Sequence, residues 1–220
     1  MKLSKQTIEI FKNFSTINSN ILIQPGNVVK TISPQKNILA RAVVEEEFPV
    51  TVGIWDLNRF LAAVSLFDDP DFNFREKYVL ISGNGSSVKY YYSEPKLLTV
   101  PTQEITMPGS AIRFSITQND LQDVLKAAAV LQLPSLDIEG NDDGVDIVAH
   151  DKTNPSSNSF SRELRLIEKS IPEENFRYTF RTENLKIIRG NYNVNVTEKI
   201  VSEFVNTAMD LTYWIALEPN

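Results

Sequence analysis

Three times along this chain a β-like stretch runs without a linker into a polar cap and then a leucine-led helical segment. The junctions are Ile54-Trp55-Asp56-Leu57, Ile116-Thr117-Gln118-Asn119-Asp120-Leu121 and Phe180-Arg181-Thr182-Glu183-Asn184-Leu185. A side-chain oxygen at such a junction accepts from the unpaired amides of a helix's first turn, and a carboxylate there meets the positive end of the helix dipole. Each junction therefore predicts a strand that ends where a helix begins. The N-terminal segment adds a fourth helix. Leu3, Thr7, Ile10, Phe11, Phe14 and Ile17 fall on one side of a 100°-per-residue wheel, with Lys5, Glu9, Lys12 and Thr16 opposite.

Between these helices the pattern is that of short strands. Ile21–Gln24, Val28–Ser33, Ile38–Val44 and Pro49–Ile54 follow the first helix, and a helix over Asp56–Phe67 has Leu57, Phe60, Leu61 and Val64 inward and Arg59 outward. A hairpin, Tyr78–Ser82 with Val88–Ser93, turns at Gly83-Asn84-Gly85. Prolines at 95, 101 and 108 then forbid one regular element, so Ser93–Ser110 reads as a connector. Beyond it come a strand at Ala111–Ile116, a helix at Thr117–Gln132, strands at Ser135–Glu139, Val145–His150, Ser159–Glu168 and Phe176–Arg181, a helix at Glu183–Ile188, and strands at Tyr192–Thr197, Ile200–Asn206 and Leu211–Leu217. The expectation is an α+β protein with two similar domains, 1–92 and 111–220, joined by 93–110. Each carries two helices packed on antiparallel sheets, making four copies of one helix-plus-strands unit.

The composition narrows function by exclusion. Cysteine is absent and His150 is the sole histidine among 220 residues, which leaves no thiolate or multi-histidine metal site, no disulfide and no cysteine nucleophile. His150 beside Asp151 is the one candidate base, and it reads more simply as a partly exposed histidine. The acidic groups Glu45-Glu46-Glu47, Asp68-Asp69, Glu173-Glu174 and Asp137/Glu139/Asp142/Asp143/Asp146 read as solvated faces, and Glu45–Glu47 as preceding a strand. Asp142-Asp143-Gly144 lacks the spaced ligands of a calcium loop. No phosphate-binding glycine motif or nucleophile elbow occurs. The expectation is no enzyme, no cofactor and no metal.

No apolar run is long enough for a membrane span and the N-terminus lacks an apolar signal core, so the expected location is cytoplasmic. The sequons at Asn84 and Asn195 then carry no consequence. A net charge of −6 speaks against a protein coated with basic surface, but leaves room for a local basic patch. Such a patch has candidates on the helices. Lys5, Lys12, Arg59, Lys126, Lys186 and Arg189 all fall away from the inferred core faces, with Lys2 a weaker addition at the helix entrance.

Met1-Lys2-Leu3-Ser4-Lys5, Lys12-Asn13-Phe14, Thr16-Ile17-Asn18-Ser19, Asp56-Leu57-Asn58-x-Phe60-Leu61 and Ser65-Leu66 resemble the sliding clamps of T-even-like phages. These are DNA polymerase processivity factors related to proliferating cell nuclear antigen. Asp120-Leu121-Gln122 with Leu125, and Ala216-Leu217-Glu218, extend the resemblance collinearly into the second half. It implies the DNA clamp fold: a homotrimeric ring, helices lining the hole, that encircles duplex DNA without reading its sequence and tethers the replicative polymerase. It also implies an ATP-dependent clamp loader as partner, and the host cell cytoplasm as location. The helix-borne cations become candidates for the DNA-facing wall. Leu97, Leu98, Val100 and Pro101 in the connector, with Ile215, Ala216, Leu217 and Pro219 at the end, become candidates for a partner-peptide pocket. Leu97, Leu98 and Val100 have a plainer reading, as residues that pin the connector to a sheet. The alternative function is a β-rich phage structural or assembly protein that oligomerises through edge strands.

Overall fold

The computed structural model describes the chain except residues 103–106, 108, 142–143, 155, 172–174, 199–200 and 220. The chain divides into two compact units, Met1–Glu104 and Ile105–Asn220. Part of the expected connector, the Asp142-Asp143 pair and Glu173-Glu174 lie outside the described residues.

In the first unit, α1 (Lys5–Ile17) buries Thr7, Ile10, Phe11, Phe14 and Ile17, the face expected from its spacing. It is followed by β1 (Ile21–Ile23), β2 (Gly26–Ile32), β3 (Ile38–Phe48) and β4 (Val52–Ile54). β1 pairs antiparallel with β4, Ile21 opposite Ile54, and β2 with β3. The second helix, α2 (Leu57–Val64), buries Leu57, Phe60 and Val64 and packs beside α1. A three-stranded meander closes the unit: β5 (Asp71–Phe74), β6 (Tyr78–Gly83) and β7 (Ser86–Tyr91). β5 has no counterpart among the expected strands. Prolines and aspartates around it mask its alternation, and its pairing with β6 decides it.

The second unit carries β8 (Ile112–Ile116), α3 (Gln118–Leu131), β9 (Ser135–Asn141), β10 (Gly144–His150), β11 (Phe160–Lys169), β12 (Arg177–Arg181), β13 (Tyr192–Val196), β14 (Val201–Asn206) and β15 (Leu211–Ala216). Hydrogen-bonded neighbours run in the order β12-β9-β10-β11-β8-β13-β14-β15, all antiparallel. β11 pairs with β10 through Phe160–Leu164 and with β8 through Arg165–Lys169, the register with β8 shifting at a bulge between Leu166 and Glu168.

The expected helix at Glu183–Ile188 does not form. Only a 3-10 turn, Thr182–Asn184, stands there, so the described residues of the second unit hold one α-helix rather than two. Leu185 and Ile188 are buried as the helical spacing demanded, but the backbone of Ile188 is committed elsewhere. Its amide donates to the Tyr213 hydroxyl (3.2 Å) and its carbonyl accepts from the Tyr192 hydroxyl (2.6 Å), so tyrosines of β13 and β15 replace the helical ladder.

Candidate nucleic-acid interface

The helices expose the cation rows the sequence assigned to them. On α1, Lys5, Glu9, Lys12 and Thr16 are spaced at intervals of three and four residues along the face opposite the core, with Lys5 and Lys12 exposed. On α2, Asn58, Arg59 and Ala62 are exposed. On α3, Asn119, Asp123 and Lys126 lie on the outer side, Asp123 and Lys126 exposed. Within the first unit these outer faces carry Lys5, Lys12 and Arg59 against Glu9. Lys186 is also exposed, but on the loop after the 3-10 turn together with Arg189, so the helical placement expected for both is corrected. Lys2 pairs with the Asp69 carboxylate and donates to the Asp69 carbonyl (2.8 Å), and the carboxylate bond raises its pKa. That neighbour offsets its charge.

Each helix is aimed by contacts at its N-terminus. The Ser4 hydroxyl accepts from the Thr7 amide (3.1 Å), and the Glu46 carboxylate of β3 accepts from the Ser4 amide and the Thr7 hydroxyl. Asp56 accepts from the Arg59 amide (2.9 Å), while the Leu57 amide donates to the Ser19 carbonyl (2.7 Å). At α3 the Thr117 hydroxyl accepts from the Asp120 amide (3.2 Å) and donates to its carboxylate (2.5 Å), which also accepts from Arg162. The Thr117 hydrogen bond, then the Arg162 guanidinium, hold the Asp120 carboxyl below its ordinary value. The Glu45–Glu47 run lies inside β3 rather than before a strand, and Glu46 is a helix cap rather than a solvated charge.

Asp137 also departs from its expected place on a solvent-facing strand position. It is 1% exposed, with His150 Nε2 at 2.7 Å and Arg177 Nε at 3.4 Å, while Arg177 reaches Glu139 at 2.8 Å. A buried carboxylate requires such partners. His150 is thereby matched with Asp137. Asp151 turns instead to the Thr153 amide and hydroxyl, and those bonds lower its pKa.

The connector candidates separate by burial. Leu98 is 8% exposed and packs against β4, while Leu97 is 57% exposed. Asn20 accepts from the Thr99 amide (2.9 Å) and Asn18 donates to its carbonyl (3.3 Å), so the connector is fastened to the first unit. Val100 and Pro101 line a cavity of that unit with Leu22, Lys30 and Arg41. At the other end of the chain Ile215 and Leu217 are buried, Ala216 is half-buried and Pro219 is exposed. Among the described residues no cluster of His, Asp and Glu has metal-ligand geometry, and no helix is long and apolar enough to cross a membrane.

Cation-bearing helices over antiparallel sheets, repeated in two units, are the features the resemblance implied, and relatives share the sequence along its length. Residues 2–93 match the family described as DNA polymerase processivity factor, and residues 113–219 match gp45 sliding clamp, C terminal. The sliding clamp of Vibrio phage KVP40 is 31% identical over 99% of both chains. That of Escherichia phage RB69 is 29% identical over 99% of this chain and 97% of its own. Among solved structures, A. fulgidus proliferating cell nuclear antigen, with the C-terminal region of FEN-1 bound, covers all of this chain and 97% of its own at TM-score 0.75 and 12% identity. The Thermococcus kodakaraensis protein of the same name covers 97% of this chain and 96% of its own, at TM-score 0.70 and 14% identity. The fold is therefore shared far beyond phage sequences, and the near end-to-end sequence match places this chain in the sliding clamp family.

Proposed function

We propose that this chain is a DNA sliding clamp that closes as a homotrimeric ring around duplex DNA and tethers the replicative polymerase. The observation that carries the reading is the match to phage sliding clamps along nearly the whole chain. Lys5 and Lys12 on α1 and Arg59 on α2 support the DNA-facing wall, with Lys126 on α3 and Lys186 and Arg189 on the loop after the 3-10 turn. Enclosure holds the ring on DNA, while these cations keep phosphates near the wall without reading bases. Three chains carry a net charge of −18, three times −6, so the outside of the ring is acidic and the hole is its basic minority. A polymerase held to the ring rebinds its template at raised effective concentration, and processivity follows. None of these steps needs a catalytic residue.

A closed ring must be opened onto DNA, so an ATP-dependent loader in the host cytoplasm belongs to the reading. The division into domains at 1–92 and 111–220, with the connector 93–110 between them, belongs to it as well. Partner peptides are assigned to Leu97, Val100 and Pro101 of the connector and to Ile215, Ala216, Leu217 and Pro219. Leu98, Ile215 and Leu217 are buried and support these contacts from within their own units, leaving Leu97, Val100, Pro101, Ala216 and Pro219 as the accessible surface. The alternative of a phage structural or assembly protein is not favoured by the family match.

The test is the mass in solution across a concentration series, with primer extension in parallel. A species of about 75 kDa, three times 24.9 kDa, is expected, and it should lengthen polymerase products only with loader and ATP. A chain that stays monomeric at high concentration and leaves product length unchanged overturns the proposal.

A further inference from the structure

Lys30 of β2 and Arg41 of β3 stand directly opposite one another in the ladder that joins the two strands. Residues paired in this way hold their Cβ atoms about 5 Å apart, and like charges set so close repel. Both are half-buried, so salt screens them less than it screens the exposed Lys5 and Lys12. They line a cavity of 550 Å³ in which Leu22, Val28, Val100 and Pro101 supply apolar surface. No carboxylate and no aromatic ring is among its described lining residues. Lysine has three donors and arginine five, so both can take a further acceptor beside the contacts each already makes.

The connector's share of the wall is ordered by the protein itself. Next to Val100, the Thr99 amide donates to Asn20 and its carbonyl accepts from Asn18, while Leu98 is buried against β4. A site whose walls are already fixed loses little entropy when it is filled. Two cations beside apolar surface complement an anion carried on an apolar chain. Nucleic acid would use the cations but finds no aromatic side chain on which a base could stack. A wholly aliphatic segment would cover Lys30 and Arg41 without offering either an acceptor, which costs free energy.

We infer that this cavity takes an acidic side chain, aspartate or glutamate, from an extended segment of a partner protein. The carboxylate lies between Lys30 and Arg41, and its apolar neighbours lie on Val100 and Pro101. Bonds from both cations to one carboxylate are charge-assisted, and the anion offsets the repulsion between them. The inference rests on the reading of Val100 and Pro101 as partner-peptide surface. It adds the chemical class of the segment and the two residues that select it.

The probes are two capped peptides, Thr-Val-Glu-Val-Thr and the same sequence with glutamine at the centre. Each is titrated onto the full-length protein and followed through the backbone amide resonances of Lys30, Arg41 and Val100. The glutamate peptide should move all three and bind about tenfold more tightly than the glutamine peptide. Lys30→Gln or Arg41→Gln should remove most of that preference and leave the binding of the glutamine peptide unchanged, which a merely structural role would not do. Either variant suffices if the other disturbs folding. Equal binding of the two peptides with Val100 moved overturns the acidic segment and keeps the connector as peptide surface. A titration that moves none of the three resonances also overturns it, while ring mass and primer extension decide the sliding clamp reading separately. An oligodeoxythymidylate that moves Lys30 and Arg41 and displaces the glutamate peptide overturns it in favour of nucleic acid.

Discussion

Glu46, in the second half of β3, accepts a 2.5 Å hydrogen bond from the hydroxyl of Thr7 in the first turn of α1. Its other carboxylate oxygen accepts from the Ser4 amide. The strand thereby sets the position of the helix whose opposite face bears Lys5 and Lys12. Glu46→Ala removes both bonds and leaves a buried threonine hydroxyl with its Ser4 partner alone. The expected loss is about 1–2 kcal/mol, read by chemical denaturation, with Glu46→Gln recovering part of it.

Gly53 is where the connector's first residue crosses β4. A Cβ there would meet the Ser93 carbonyl oxygen at 2.4 Å and the Leu98 side chain at 3.2 Å. Backbone cannot yield as a side-chain tip can, so Gly53→Ala should cost about 1–3 kcal/mol and loosen the connector. Faster amide exchange at Ser93, Leu98 and Thr99 would accompany the lower melting temperature.

Lys5→Glu with Lys12→Glu changes two exposed residues of one helix face and should leave secondary structure and oligomeric mass unchanged. Loading onto DNA should fall. The slope of log affinity against log salt should flatten by about 0.9 for each phosphate that the lysines no longer neutralise. A double variant that loads like the parent removes α1 from the DNA-facing wall.

Asp120 predicts a pH dependence. Its folded pKa is depressed by the Thr117 hydroxyl and then by Arg162, so its contribution is complete above the unfolded value near 4 and is lost as pH falls through the folded one. Asp120→Asn should be less stable than the parent at neutral pH. The two stability curves should converge at acid pH, once the parent carboxyl is uncharged in the folded state as well.

α1, α2 and α3 were legible because their signals are local. Apolar spacing near 3.6 residues marks the buried face of α1, and Ser4, Asp56 and Thr117 lie within three residues of the amides they cap. The same periodicity also placed Lys5, Lys12, Arg59 and Lys126 outside. What the sequence could not carry was any partner far along the chain. Glu46 reads as one of three like charges until β3 brings it to α1, 39 residues away. Asp137 reads as a surface strand carboxylate until His150 and Arg177 close over it. The segment after Thr182 has helical spacing, yet Tyr192 and Tyr213 take the backbone groups of Ile188 that a helix would have used. The sequence by itself determined which faces are apolar and where helices begin, because propensity and capping act within a turn. Only the tertiary structure decided which polar groups are buried and which helix yields to a turn, because burial and hydrogen-bond competition depend on residues brought together from distant parts of the chain.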